Sequence, residues 1–395
     1  MSKTTHTDPS ISLERPPGSA MPPIVYLDHN ATTPVAPEVL EAMLPWLREG
    51  FGNPASDHPL GRTARAALEQ ARALIGAAPE EMFFTASATE ANNLALLGAA
   101  RALAERGRHL IASAVEHPSV AAPLAHLAAS GWTLTILPVD GAGRVDPADL
   151  AAALRADTVL VSVIHANNEV GTLQPIAELA ALARAGGALF HCDAAQSVGK
   201  IPVDVNALGV DLLTLAGHKF HAPKGIGALY RRAGTPLAPI LFGAGQEGGL
   251  RPGTENVPYA VGLGAAAMLA AGRLPTLTEW LTRQRERLHA ELAAAIPGLT
   301  LNGHPEARLP NTLSLAFPGV TGRALLARAP TVAASLGSAC HAGATAISGV
   351  LGAMGVEPAR ALGTVRLSLG AETTDAELDA AAAALIAAWR ELTAG

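Results

Sequence analysis

Between residues 82 and 230, short apolar runs alternate with segments of helical period, which leaves few architectures open to the chain. Runs of strand length fall at 82–85, 109–113, 133–137, 158–164, 188–192, 212–215 and 226–230. Helical stretches at 88–105, 118–129, 147–155 and 175–184 separate most of them. Parallel neighbours need a crossover of a dozen or more residues, usually a helix. The alternation therefore predicts an α/β fold with a mostly parallel sheet sandwiched by helices. The run Thr158-Val-Leu-Val-Ser-Val-Ile164 lacks polar alternation, as a central strand buried on both faces should.

A short strand at 24–27 precedes this region, and a polar loop, Asp28 to Pro34, follows that strand. Residues 1–23, with Pro16, Pro17, Gly18, Pro22 and Pro23, are expected to form a flexible arm. Beyond about residue 260 the chain turns to long Ala/Leu/Arg helices at 276–295 and 375–393. Strand candidates at 313–317 and 365–369 lie between them, which predicts a second, smaller α+β domain. The expected division is an arm at 1–23, a large domain at 24–262 and a small C-terminal domain at 263–395.

Charged residues make up 16% and hydrophobic residues 49%, which excludes a disordered, solvating chain. A net charge of −6 with no long Lys/Arg run argues against a nucleic-acid partner or an acidic membrane surface. The longest apolar stretch, 260–271, is shorter than the ~18–20 residues of a membrane span. No apolar secretory core is visible near the start, and the 2 cysteines, Cys192 and Cys340, form no CxxC pair. A reduced, cytoplasmic setting is the expectation.

Open parallel sheets bind ligands outside the carboxyl ends of their strands. Polar residues follow five of the seven expected strands. Ser87, Thr89 and Glu90 follow the first, and Glu116, His117 and Ser119 the second. His165, Asn167, Asn168 and Glu169 follow 158–164, Asp193 and Gln196 follow 188–192, and His218 and Lys219 follow 212–215. Taken singly, each has an ordinary reading: Ser87 with Glu90 is a capping box, and His117 a helix cap. Together they suit one ligand class. A helix N-terminus can hold a phosphate, a carboxylate a ring N–H⁺, a histidine a flat ring, and a desolvated lysine an aldehyde. Pyridoxal phosphate combines those groups in one molecule.

The chain resembles cysteine desulfurases of the class V aminotransferase superfamily, fold-type I pyridoxal-phosphate enzymes. The resemblance runs from about Tyr26 to the C-terminal helix. It is carried by YLDHNATTP (26–34), TASATEANN (85–93), EHPSV (116–120), HANNEVGTLQPI (165–176), HCDAAQSVGKIPVDV (191–205), GHKFHAPKGIGALY (217–230), GAGQEGGLRPGTEN (243–256) and GSACHAG (337–343).

The resemblance implies roles at matching positions. Lys219 would be the Schiff-base lysine, Asp193 the partner of the ring nitrogen and Gln196 that of the ring hydroxyl. His117 would stack on the ring and move protons. Thr89 and His218 would bind the phosphate, and Thr254 would reach the phosphate of the other subunit in a homodimer. Asn168, beside the cofactor, and Arg366 would hold the substrate carboxylate. Cys340 would attack the sulfur of L-cysteine and become a persulfide for a sulfur-acceptor protein, releasing L-alanine. A selenocysteine lyase or another C–S lyase of the same superfamily is the alternative, and it would need Cys340 less. No metal is expected, because the His218/His221 pair has no Cys partner at zinc spacing. Three positions depart from the family pattern: Ala216 where a Ser or Thr often binds phosphate, Gly248 where Arg is frequent, and His341 where Thr or Ser is usual. Cys192 is expected to be a buried structural residue.

Overall fold

The computed structural model describes residues 24–74, 76–336 and 347–394. The expected arm at 1–23, and Cys340 with His341, lie outside the described residues. Strands occur in chain order as β1 (Val25–Tyr26), β2 (Met82–Thr85), β3 (His109–Ser113), β4 (Thr133–Leu137), β5 (Thr158–Ile164) and β6 (Leu189–Asp193). They continue as β7 (Leu212–Ala216), β8 (Gly227–Arg231), β9 (Thr300–Leu301), β10 (Thr312–Ala316), β11 (Val332–Ala333) and β12 (Thr364–Ser368).

Seven strands form the large sheet in the order β2-β8-β7-β6-β5-β3-β4. The pairs from β7 to β4 are parallel, whereas β8 runs antiparallel to both β7 and β2. The reason is length: the loop at 217–226 is too short for a crossover helix, so the chain turns back. Each strand divides its side chains between two layers. Leu110 and Ala112 of β3 join the core under helices Ala88–Leu103 and Pro118–Ala129, and Ile111 joins the opposite core. Both faces of β5 are buried throughout, as its unbroken apolar run requires.

A second core gathers Leu27, Leu313, Leu315, Phe317, Val365 and Leu367 with Leu288, Leu292, Leu378 and Leu385. Here β10 lies between β12 and β9, antiparallel to both, and β1 pairs with β11 in parallel. The last helix, Asp375–Thr393, starts where Thr374 and Glu377 close a capping box.

The expected boundary at 262 falls inside one continuous helix, Val257–Ala295. Val257, Ala260, Leu263 and Ala266 pack in the core of the large sheet, while Leu281, Leu288 and Leu292 pack in the second. The helix thus ties the two cores together. By length and composition alone part of it is apolar enough to cross a membrane, longer than the 260–271 run suggests. In the fold it packs against helices Pro37–Arg48 and Pro59–Leu74.

Candidate active site

A cavity of about 430 Å³ opens at the carboxyl ends of β3, β5, β6 and β7, where the strand-end rule places a site. Ser87, Ala88 and Thr89 line one end of it. Ser87 caps the Ala88–Leu103 helix, its hydroxyl accepting the Glu90 N–H at 3.2 Å. The N–H groups of the first turn that follow have no intrahelical acceptor and face outward, as an anion requires. Glu90 does not close the box on Ser87; its Oε2 accepts from Ala86 N–H at 2.7 Å and its Oε1 pairs with Arg251 at 2.8 Å. This backbone reaches the sheet only because Gly227 of β8 has no Cβ; one there would lie 2.7 Å from Ser87 C.

Asp193 ends β6 beneath the cavity and is 3% exposed. Its Oδ1 accepts Ala195 N–H at 3.0 Å and its Oδ2 accepts Asn92 Nδ2–H at 2.8 Å. Both donors are neutral amides. Asn92 also donates to Ser119 Oγ at 2.8 Å. The Ser119 backbone N–H donates to His117 Nδ1 at 3.1 Å, and the Ser119 hydroxyl lies 2.8 Å from the same nitrogen. A nitrogen that accepts a backbone N–H carries no proton, so neutral His117 holds its proton on Nε2. Burial lowers the His117 pKa, with Asp193 opposing and Lys219 adding to the fall.

Lys219 follows β7, and its Nζ donates to the carbonyls of Asn30 and Ala31 at 2.7 and 2.8 Å. The loop after β1, the segment carrying YLDHNATTP, therefore forms the wall opposite β7. His218 Nδ1 lies 3.1 Å from Thr32 Oγ1, and burial together with the charge of Lys219 brings its pKa down to about 4. Its ring is neutral at physiological pH.

Arg366 of β12 is buried and reaches the cavity from the second core. Its guanidinium donates to the Asn168 carbonyl at 2.8 Å and pairs with Asp28 Oδ1 at 2.7 Å. Asn168 itself lines the cavity. The structure thus brings together Thr89, His117, Asn168, Asp193, Gln196, His218, Lys219 and Arg366 on one cavity. Thr254 lies elsewhere, in a separate depression with Thr85, Ala86 and Arg251.

Two departures from the family pattern acquire physical descriptions. Ala216 lines the cavity with a methyl group and offers no side-chain donor. Gly248 sits in a left-handed stretch, with φ of 49° at Glu247, 62° at Gly248 and 79° at Gly249, where glycine carries no Cβ penalty. Glu247 is held in that strained turn by Arg72 at 2.6 Å and by the Phe84 N–H at 2.9 Å. Cys192 is buried in β6 among apolar neighbours, and burial raises its thiol pKa.

The family model for aminotransferase class V matches residues 25–381. The chain belongs to the class V aminotransferases. It is 46% identical over 361 residues to the protein named cysteine desulfurase IscS of Dictyoglomus turgidum, covering 90% of this chain and 92% of that one. It is 44% identical to a cysteine desulfurase IscS of Methanosarcina thermophila, over 90% of this chain and 89% of that protein. Among solved structures, a NifS-like protein superposes with a TM-score of 0.87 at 36% identity, covering 92% of this chain and 98% of its own. A structure described as SspA in complex with cysteine gives 0.78 at 36% identity, over 87% and 98% of the two chains.

Class V aminotransferases use pyridoxal phosphate, and the donor set here fits that group. The cavity supplies a helix N-terminus for the phosphate, a buried carboxylate for the ring nitrogen and a lysine between them. Residues not singled out as functional from the sequence complete it: Asn30, Asn92 and Lys200 hold Lys219, Asp193 and Gln196, and Asp28 holds Arg366.

Proposed function

We propose that this protein is a pyridoxal-phosphate-dependent cysteine desulfurase. It removes sulfur from L-cysteine, releases L-alanine and carries the sulfur as a persulfide on Cys340 to an acceptor protein. The observation that carries the reading is the meeting of Lys219, Asp193, His117 and Arg366 on one cavity. Bound there, pyridoxal phosphate would supply an electron sink for charge developing at the substrate Cα and Cβ.

The chain's own residues do the rest. Asp193 would pair with the ring nitrogen, and Gln196 would reach the ring oxygen. Thr89, His218 and the helix N-terminus would hold the phosphate, and Lys219 would hold the aldehyde end. Arg366 takes the substrate carboxylate by a two-pronged hydrogen bond, exchanging its Asp28 partner for it. Asn168 borders the same place. His117 presents Nε2–H to the cavity and moves protons at the reacting face. The Cys340 thiolate then forms a bond to the substrate sulfur as the sulfur–Cβ bond breaks. The electron pair stays with Cβ, which is protonated to the methyl group of alanine.

The reading places the enzyme in the cytoplasm as a homodimer, with Thr254 of each chain completing the phosphate site of the other. Its location outside the cavity of its own chain supports that arrangement. The test is to incubate the purified yellow protein with L-cysteine and measure alanine, sulfide and the mass of Cys340. Borohydride reduction should fix the cofactor on Lys219, and sedimentation should give a dimer. A reduced cofactor on another lysine, or alanine formed only from selenocysteine, overturns the reading.

A further inference from the structure

Lys200 lies in the turn after β6 and is 6% exposed. Its Nζ donates to Gln196 Oε1 at 2.7 Å and to Asn30 Oδ1 at 2.9 Å. An ammonium group has donors and no acceptor, so only the carbonyl end of the Gln196 amide can face it. The opposite end follows: Gln196 Nε2 donates one N–H to the Asn30 carbonyl at 3.0 Å, leaving the second for the cavity that Gln196 lines. Asn30 cannot turn to release this grip. Its Oδ1 also accepts Asn311 Nδ2–H at 3.1 Å, and its Nδ2 donates to Thr312 Oγ1 at 2.9 Å.

We propose that Lys200 is a positioning residue that locks the Gln196 amide with its NH₂ group toward the cavity, so that an anionic ring oxygen of the cofactor meets a donor. The proposal rests on the pyridoxal-phosphate reading above. Without Lys200, only the bond from Gln196 Nε2–H to the Asn30 carbonyl opposes a turn that brings the Gln196 carbonyl to the ring oxygen, where two acceptors repel each other.

The charge around Lys200 fits the same role. Both its partners are neutral amide oxygens. Burial first, then the cations Lys219 and Arg366, push its pKa well below the ordinary lysine value. His29 and His218 feel its charge in turn. An oxyanion reached through Gln196 offsets this repulsion, which links Lys200 to the bound group and not only to the fold.

The test is a double-mutant cycle on the holoenzyme, read by the pH midpoint of the bound cofactor's visible absorption. Lys200→Met keeps the bulk and removes the charge. It should raise the midpoint by about one unit, the size of one lost charge-assisted hydrogen bond. In a Gln196→Ala background the same change should add almost nothing, because the amide it orients is gone. Equal shifts in both backgrounds overturn the proposal, since Lys200 would then act through its field alone. A merely structural lysine would lower the thermal midpoint and leave the absorption midpoint unmoved, which also overturns it. An atomic-resolution structure of the wild-type holoenzyme needs no variant: a Gln196 carbonyl facing the ring oxygen refutes the proposal, and an NH₂ group there supports it. If the wild type binds no cofactor at Lys219, the parent reading has failed.

Discussion

Ser119 donates its backbone N–H to His117 Nδ1 at 3.1 Å, and its hydroxyl, already accepting from Asn92, lies 2.8 Å from the same nitrogen. Protonating Nδ1 would turn it into a donor facing the fixed Ser119 N–H and would force the Ser119 hydroxyl to reverse from donor to acceptor. Ser119 therefore works with burial to keep the ring neutral. Ser119→Ala removes the hydroxyl and leaves the backbone donor. The His117 pKa should rise by roughly half a unit to one unit, as expected for one hydrogen bond of about 1 kcal/mol. Nitrogen NMR of the labelled enzyme reads both the midpoint and the tautomer. An unchanged titration would show that the hydroxyl does not donate to His117.

Gly227 lets the N-terminus of the Ala88–Leu103 helix approach the sheet, where the proposed function puts the phosphate. A Cβ built there would stand 2.7 Å from Ser87 C and 2.8 Å from Ala88 N, both backbone atoms that cannot swing aside. Gly227→Ala should push the helix N-terminus outward at a cost of about 1–3 kcal/mol. Cofactor affinity should drop by tenfold or so while Lys219 still reacts. Titration of the apoenzyme with pyridoxal phosphate, followed in the visible range, measures this. A variant with wild-type affinity would place the phosphate elsewhere.

The same close approaches explain what the sequence displays and what it conceals. Strands β2 to β5 begin and end where their apolar runs do, because turn residues bound each run and the central strands are buried on both faces. The Val257–Ala295 helix starts well before the expected residue 276. Gly262, Gly264 and Pro275 read as interruptions there. In the fold a Cβ at Gly262 would meet Met43 Sδ at 2.7 Å, and one at Gly264 would meet Ala71 Cα at 2.9 Å. Those glycines let helices pack closely, a tertiary reason that local propensity does not carry. The site divides in the same way. His117 and Lys219 follow strands and Asp193 ends one, so the gathering of polar residues at strand ends draws attention to them together. Asn92 lies inside a helix, 101 residues from the Asp193 carboxylate it holds, and nothing local marks it.

Glu116 gives the fold a pH dependence of its own. Burial raises its carboxyl from 4.5 to about 8, against hydrogen bonds from Ser113 and the Ile164 N–H, with Asp193 adding to the rise. Between pH 4.5 and about 8 the unfolded chain releases a proton that the folded chain keeps, so stability falls as pH rises through that window. Glu116→Gln keeps an acceptor for Ile164 and removes the titration. Relative to wild type, the variant should gain stability steadily from pH 4.5 to about 8, by roughly 5 kcal/mol at most, and then level off. His29, His165, His191 and His218, all lowered to about 4, act oppositely: their contribution is lost as pH falls from 6.5. Comparing variant with wild type cancels that part. Urea unfolding of the two apoenzymes across pH checks it, and parallel curves would mean that Glu116 ionises as an ordinary carboxyl.

The chain on both sides of Cys340 is fixed at the cavity. Ser335 exchanges backbone hydrogen bonds with Arg366 at 2.7 and 3.2 Å, and Ser348 donates to Glu169, which lines the cavity. The proposed function gives Cys340 sulfur transfer and Arg366 the substrate carboxylate, so the two steps should be separable by mutation. On the proposed function, Lys219, Asp193 and Arg366 should bind and activate L-cysteine without Cys340. Cys340 enters as thiolate, and with an unperturbed pKa of ~8.5 only a few per cent is ionised at neutral pH. Cys340→Ser should still change the visible spectrum on addition of L-cysteine, yet release almost no alanine and carry no persulfide. His341→Thr should stay active and move the pH midpoint of turnover upward, because an imidazolium beside the thiol favours thiolate. An unmoved profile assigns His341 no part in activating the thiol. Substantial alanine from Cys340→Ser would mean that a thiol other than Cys340, such as a second L-cysteine or an added thiol, accepts the sulfur, which is the lyase alternative.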